Sequence, residues 1–289
     1  MVDKLLKDGK KAYERNEFEK AVGKFQEAYG LAREIKYTDG EGVALTEMCL
    51  FYQTKNQLPR AKELGENAIE VLTNTTDKKA LGQARVALAR IYLMMDNTFT
   101  AMQQLNQALK EFTNLGASDG EEVAKVLLLA ADIGMRTNHE KEAIQFYEAA
   151  ASYIGQAGKT RDQVAIQVRI SNMLMANGLL TAAQEEALKA LSAARNAQVP
   201  ANAEIVCALN AVANAQYTLC QFSDARKSYE ELLSLKVPEH TPLDKAVFQE
   251  GYGFTLIATG DLELAKQAFE KALPTIKAQG TVAHRAQVL

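Results

Sequence analysis

GKKAYERNEFEKAVGKFQEA at residues 9–28 and GFTLIATGDLELAKQAFEKA at residues 253–272 decide the fold. Each opens on a glycine, then places a residue that tolerates a left-handed backbone (Asn16, Gly260), an alanine (Ala21, Ala265), an aromatic ring (Phe25, Phe269) and a second alanine (Ala28, Ala272) at identical offsets. The same order of residue types fills the chain between them. Its anchors are Ala21, Ala61, Ala101, Ala143, Ala183, Ala225 and Ala265, separated by 40, 40, 42, 40, 42 and 40 residues. A period of this length held from end to end marks an array of helical repeats and outranks any local propensity.

The slots around the anchors carry the reading. Twelve residues before them stand Gly9, Cys49, Ala89, Ala131, Ser171, Ala213 and Gly253, all small. Seven residues after come Ala28, Ala68, Ala108, Ala150, Ala190, Leu232 and Ala272. Small side chains at helical spacing let two backbones approach closely. Five residues before the anchors are Asn16, Asn56, Asp96, Asn138, Gly178, Cys220 and Gly260; all but Cys220 suit the left-handed conformation of a helix end. A large-residue slot four after the anchor holds Phe25, Leu105, Tyr147, Tyr229 and Phe269, and is lost at Gly65 and Ala187.

Each unit thus reads as helix A, a turn, and helix B bearing the anchor, as in residues 81–95, the turn at Asp96 and Asn97, and residues 100–115. Polar connections are expected at 37–40, 73–77, 116–120, 155–159, 199–200 and 237–242. The last two carry proline and are expected as helix stops, whereas Pro59 falls in the first turn of a helix B, where proline is tolerated. No stretch reads as a strand-rich domain.

Of 289 residues, 47% are apolar and 24% charged, ample for a core shared between stacked helices. The formal charge of -3, with no basic block, argues against nucleic acid as a partner. No apolar stretch reaches bilayer length, residues 1–11 already belong to the first helix, and integral membrane insertion is not expected. Cytoplasm is the expected compartment.

Chemistry is sparse. Cys49, Cys207 and Cys220 are widely spaced, with Cys49 in a small-residue slot and Cys220 in a turn slot, which favours structural thiols. His139, His240 and His284 lie in connections or near the end, and His139-Glu140-Lys141-Glu142-Ala143 lacks the second histidine of a zinc helix. The glycines at 116 and 120 have no Lys-Ser/Thr after them and fit a turn rather than a phosphate loop. No cofactor, no metal and no enzymatic activity are expected.

On the stretches 9–28 and 253–272 the chain resembles the tetratricopeptide repeat family over essentially its whole length, more loosely in the middle units. The resemblance implies an all-α, right-handed superhelical solenoid of about seven helix-turn-helix repeats, one array over residues 1–289. Units with an opening such as DGEGVAL at 39–45 resemble the extended repeats of kinesin light chains and spindle-orientation adaptors. A fainter likeness to soluble NSF attachment proteins covers residues 139–197, without the membrane-touching hydrophobic loop of those adaptors. The implied function is a non-enzymatic scaffold or adaptor that binds a peptide or helix in its concave groove. A membrane-traffic adaptor and a peptide-responsive regulatory sensor are the alternatives.

By the same resemblance, helix A lines the groove with the residues fifteen, eleven and eight before each anchor. Fifteen before gives Leu6, Thr46, Val86, Leu128, Val168, Asn210 and Glu250; eleven before gives Lys10, Leu50, Arg90, Asp132, Asn172, Asn214 and Phe254. Eight before gives Tyr13, Gln53, Leu93, Met135, Met175, Tyr217 and Ile257. Leu128, Met135, Val168 and Met175 are expected to form an apolar, adaptable trough, or else to pack in the core. Asn172, Asn210 and Asn214 form a ladder suited to a peptide backbone, and with Arg90, Asp132, Tyr217 and Phe254 complete the expected partner surface. The Lys-then-Asn clamp with which co-chaperones of this family hold a carboxylate tail is missing: the matching pairs are Leu6 and Lys10, Thr46 and Leu50, Val86 and Arg90, Val168 and Asn172. The apolar tail at 281–289 is too short for a cap, so the expectation is either that a longer protein continues from it or that this end docks on something, such as another copy in self-association.

Overall fold

The computed structural model describes residues 1–113, 120–197, 201–237 and 241–279. Those residues form fourteen α-helices and no strand. Helices of type A are α1 Val2–Glu14, α3 Thr38–Thr54, α5 Lys78–Met94, α7 Gly120–Arg136, α9 Thr160–Ala176, α11 Asn202–Thr218 and α13 Pro242–Thr259. Type B are α2 Phe18–Glu34, α4 Leu58–Thr73, α6 Thr98–Thr113, α8 Glu140–Gln156, α10 Leu180–Arg195, α12 Phe222–Ser234 and α14 Leu262–Gln279. Two compact units divide the chain, one ending at Tyr153 and one beginning at Ile154. Within the first, α1 packs on α2, α3 on α4 and α5 on α6; within the second, α9 packs on α10, α11 on α12 and α13 on α14.

The A-to-B turn is the same object seven times. Asn16, Asn56, Asp96, Asn138 and Cys220 hold φ between 56° and 61°, and Gly178 and Gly260 hold 73° and 87°. The amide just after each reaches back across the turn: Glu17 donates to the Ala12 carbonyl at 2.9 Å, Asn97 to Tyr92 at 2.8 Å, His139 to Gly134 at 2.8 Å and Asp261 to Leu256 at 2.9 Å. This six-residue closure satisfies a helix-end carbonyl and fixes the reversal of direction. Cys220, the slot residue with no natural preference for this backbone, adopts it all the same.

Every anchor alanine is buried, none more than 2% exposed. In the first, second and last repeats, the small slot twelve residues before the anchor and the slot four residues after it fill one space between the helices of a pair. A Cβ on Gly9 would lie 2.5 Å from the Phe25 ring, and one on Gly253 2.7 Å from Phe269. In the second repeat the sizes are exchanged: Gly65 replaces the ring, and Cys49 Sγ lies 3.2 Å from where its Cβ would be. In the fifth, both slots are small, and Ser171, fully buried, donates to the Ala183 carbonyl at 2.7 Å. The apparent loss of the large slot in the second repeat is therefore compensated across the helix pair.

Two expectations are corrected. The connection expected at 37–40 spans only 35–37, because Asp39 and Gly40 already belong to α3, where Gly40 lies under the Tyr37 ring. Pro242 does not stop a helix but opens α13, whose N-cap Thr241 and Asp244 form a reciprocal capping box. Pro59 sits in the first turn of α4 as expected. Residues 116–119, Val199, Pro200, Pro238, His240, His284 and the tail 281–289 lie outside the described residues.

Candidate functional site

Along each helix A the expected inward stripe grades from core to solvent. Of the residues fifteen before the anchors, Leu6, Thr46, Val86 and Glu250 are buried and Leu128, Val168 and Asn210 half-buried. Eleven and eight before, Lys10, Arg90, Asn172, Tyr217 and Ile257 are exposed, while Asp132, Asn214, Phe254, Met135 and Met175 are half-buried. Leu128 and Met135 belong to the first unit, Val168 and Met175 to the second. Val168 packs against the core of its own unit.

In the second unit the stripe becomes a pocket. Asn210, Asn214 and Tyr217 rise on successive turns of α11, Glu250 and Phe254 face them from α13, and Tyr229 of α12 closes the floor of a cavity of about 260 Å3. Four residues expected from the sequence, Asn210, Asn214, Tyr217 and Phe254, thus meet in one place. The floor is fixed: Tyr229 is 1% exposed and its hydroxyl donates to Asn214 Oδ1 at 2.6 Å. Gly251 makes this possible, since a side chain there would collide with the Tyr229 hydroxyl. Because the Asn214 oxygen is engaged by Tyr229, its NH2 group is the part left to offer a ligand. Burial, then Tyr217 and the Glu250 carboxylate, raise the Tyr229 pKa and keep the phenol neutral. Glu250 itself is 4% exposed. The rings are braced from behind, Tyr217 edge-on to Phe222 at 5.5 Å and Phe254 edge-on to Phe269 at 5.1 Å.

The first unit repeats the device. Tyr147, buried, donates to Asp132 Oδ1 as Tyr229 does to Asn214. Both tyrosines occupy the slot four after the anchor and hold the residue eleven before it, so the large slot positions a groove residue as well as packing. Arg90 lines a separate cavity of about 620 Å3 with Tyr13, Leu50 and Gln53, three more stripe positions. Glu47 at its wall is paired with Lys10 at 2.8 Å.

Sequence reasoning missed Tyr229 and Gly251 as site residues, and placed Glu250 on the inward stripe without including it in the expected partner surface. Tyr229 stood in the large slot and was read as packing; the signal that separates it is the join between slots, which only the fold supplies. It also missed an apolar cavity of about 440 Å3 on the helix B side of the first unit, lined by Phe99, Met102, Ile133 and Phe146. Cys49 is buried and its thiol pushed up to about 12 by desolvation; Cys207 and Cys220 are exposed. Among the described residues, no three His, Cys, Asp or Glu side chains gather as a metal site requires. No described helix is long and apolar enough to cross a membrane.

The family model for the tetratricopeptide repeat matches residues 251–273, the α13–α14 hairpin whose slots are most complete. That hairpin is a match to the tetratricopeptide repeat, and the other six helix pairs share its slots. Its fold is similar to the tetratricopeptide sensor-bearing signal transduction ATPase (STAND) of Pyrococcus horikoshii, at TM-score 0.72 and 16% identity over 99% of this chain and 44% of that one. It is also similar to RapI in its apo form, at TM-score 0.59 and 10% identity over 96% and 97% of the two chains. A tetratricopeptide repeat protein of Parabacteroides merdae matches at TM-score 0.52 and 13% identity over 99% and 98%. At such identities the likeness concerns the fold alone, and this chain spans less than half of the Pyrococcus protein. No curated protein matches it in sequence. The likeness to soluble NSF attachment proteins is not carried by these matches.

Proposed function

We propose that this chain is a non-enzymatic binding scaffold that holds a peptide segment of a partner protein on its helix A face, with the α11–α13 pocket as the main subsite. The observation that carries this reading is the pocket's build. Amides on α11 offer backbone-like donors and acceptors, rings flank them, and a buried tyrosine holds one amide in a single orientation. A pre-set polar group inside an apolar rim gives specificity with little ordering on binding. Panning a displayed peptide library against the whole chain and measuring the selected peptides by calorimetry tests it. Asn210→Ala should weaken them by about 1 to 2 kcal/mol, through lost hydrogen bonds and unpaired ligand groups. Unchanged affinity in that variant removes the pocket from the binding surface.

A second reading is a peptide-responsive sensor, favoured by the fold likeness to the sensor-bearing Pyrococcus ATPase. Under it, a selected peptide changes the packing of the helix pairs, and small-angle scattering with and without peptide differs. Superimposable curves leave the plain scaffold.

A further inference from the structure

We infer that the trough between α6 and α8, on the helix B side of the first unit, seats an amphipathic helix of a partner protein whose apolar face is flanked by a lysine or arginine. This surface is separate from the helix A face. Phe99, Met102 and Asn106 follow one another along α6 at steps of three and four residues, and His139, Glu142 and Phe146 do the same from the start of α8. The buried Ile133 of α7 lines the bottom of the cavity of about 440 Å3 between them. The fold does not ask for these apolar groups. Phe99 and Met102 stand two residues before and one after the anchor Ala101, and in every other repeat at least one of those two positions is polar or charged: Glu19, Lys62, Lys141, Gln184, Arg226, and the pair Glu263 and Lys266. Phe99 is nonetheless 74% exposed, more than any other aromatic ring among the described residues. Large apolar groups gathered at slots that the other repeats keep polar mark an interaction surface.

Shape and charge select the occupant. Two helix faces with side chains at steps of three and four form a groove into which a third helix lays its own side chains at the same steps. An extended peptide would instead set unpaired backbone N–H and C=O groups against Phe99, Met102 and Phe146, a costly arrangement. Among the described residues Glu142 makes no hydrogen bond or ion pair, and no lysine or arginine lines the trough. The Thr137 hydroxyl donates to the Ile133 carbonyl at 3.0 Å, so it accepts from His139 Nδ1, also at 3.0 Å, and Nε2 of the neutral ring is left as an acceptor. Both groups invite a donor, and Glu142 invites a cation. The same charge disfavours a second copy bound trough to trough, because a two-fold contact would set Glu142 against its own equivalent with no cation between them.

Calorimetry with the full chain tests the assignment. The probes are helical peptides of about 18 residues, built on alanine and glutamine with a leucine stripe at steps of three and four, flanked in one peptide by lysine and in the other by glutamate. The lysine peptide should bind about fivefold more tightly than the glutamate peptide. Glu142→Lys, at an exposed position, should invert that order. Phe99→Ser, also exposed, should weaken both peptides about tenfold and leave the melting temperature unchanged. Asn210→Ala should leave both affinities where they were; a loss there would place the peptides in the α11–α13 pocket and overturn the proposal. Equal affinity for the two peptides, an order that survives Glu142→Lys, full affinity in Phe99→Ser, or no binding up to about 1 mM overturns it too. So does sedimentation showing that the chain by itself dimerises and that Phe99→Ser separates the dimer, for then a second copy fills the trough.

Discussion

Cys220 is held at φ 59° in an exposed turn, where its six equivalents are asparagine, aspartate or glycine. A non-glycine side chain in this region meets the following carbonyl, a strain that asparagine tolerates best. Cys220→Asn should therefore raise stability by about 0.5 to 1 kcal/mol in chemical denaturation; no gain would mean the turn is not strained by cysteine. The turn position was legible from its slot, but the residue's own preference pointed the other way, and the helix pair on either side, closed by the Gln221 amide on the Gln216 carbonyl at 2.8 Å, set the geometry. Cys49 gives a pH test. Its thiol is pushed up from 9.0 to about 12 by burial, so above pH 9 the unfolded chain releases a proton that the folded chain keeps. Stability must then fall with rising pH between about 9 and 12, by at most 1.4 kcal/mol per pH unit from this group. Cys49→Ala should make that fall shallower in melts at pH 8 and 10 compared with the parent, and an unchanged pH slope would place the thiol in water.

At the scale of the helix pair, the period identified anchors and slots, but not that two slots share one space. The ring slot looked degenerate at Gly65 because a linear reading compares repeats with each other, whereas the packing compares Gly65 with Cys49 and Phe25 with Gly9. A double-mutant cycle makes this measurable. Gly9→Ala alone drives a methyl into the Phe25 ring and should cost about 1 to 3 kcal/mol. Combined with Phe25→Leu it recreates the Ala89 and Leu105 pairing of the third repeat, and the two changes should couple favourably by 1 kcal/mol or about that. Additive losses would show that the slots do not interact. The anchor itself is more demanding: Ala143 is fully buried, and Ala143→Glu should destabilise by roughly 3 to 5 kcal/mol, overpacking the pair and burying an unpaired charge. Lys141→Ala, on the exposed side of α8, should change melting by less than about 0.5 kcal/mol.

For the molecule as a whole, the binding surface was legible as a stripe and not as a site. The resemblance put Asn172, Asn210 and Asn214 on one ladder, yet the three amides live differently: Asn172 is exposed, Asn210 lines the pocket, and Asn214 is tied to a buried tyrosine from the next helix. That cross-helix bond cannot be read from a chain whose period compares equivalent positions, because it joins two different slots. It also splits what alanine substitution should do. Asn172→Ala should leave the melting temperature where it was. Asn210→Ala should lower peptide affinity and leave melting nearly unchanged. Asn214→Ala should lower both, since the Tyr229 hydroxyl, 1% exposed, loses its acceptor; an unsatisfied buried donor costs about 1 to 3 kcal/mol. Replacing both partners, Tyr229→Phe with Asn214→Ala, should recover much of the stability while affinity stays low, because the buried hydroxyl is gone but the groove amide is still missing. Calorimetric melts of the four variants beside titrations with one selected peptide decide the matter. If the double variant regains affinity along with stability, Asn214 serves the fold alone, and binding rests on Asn210 and the rings around it.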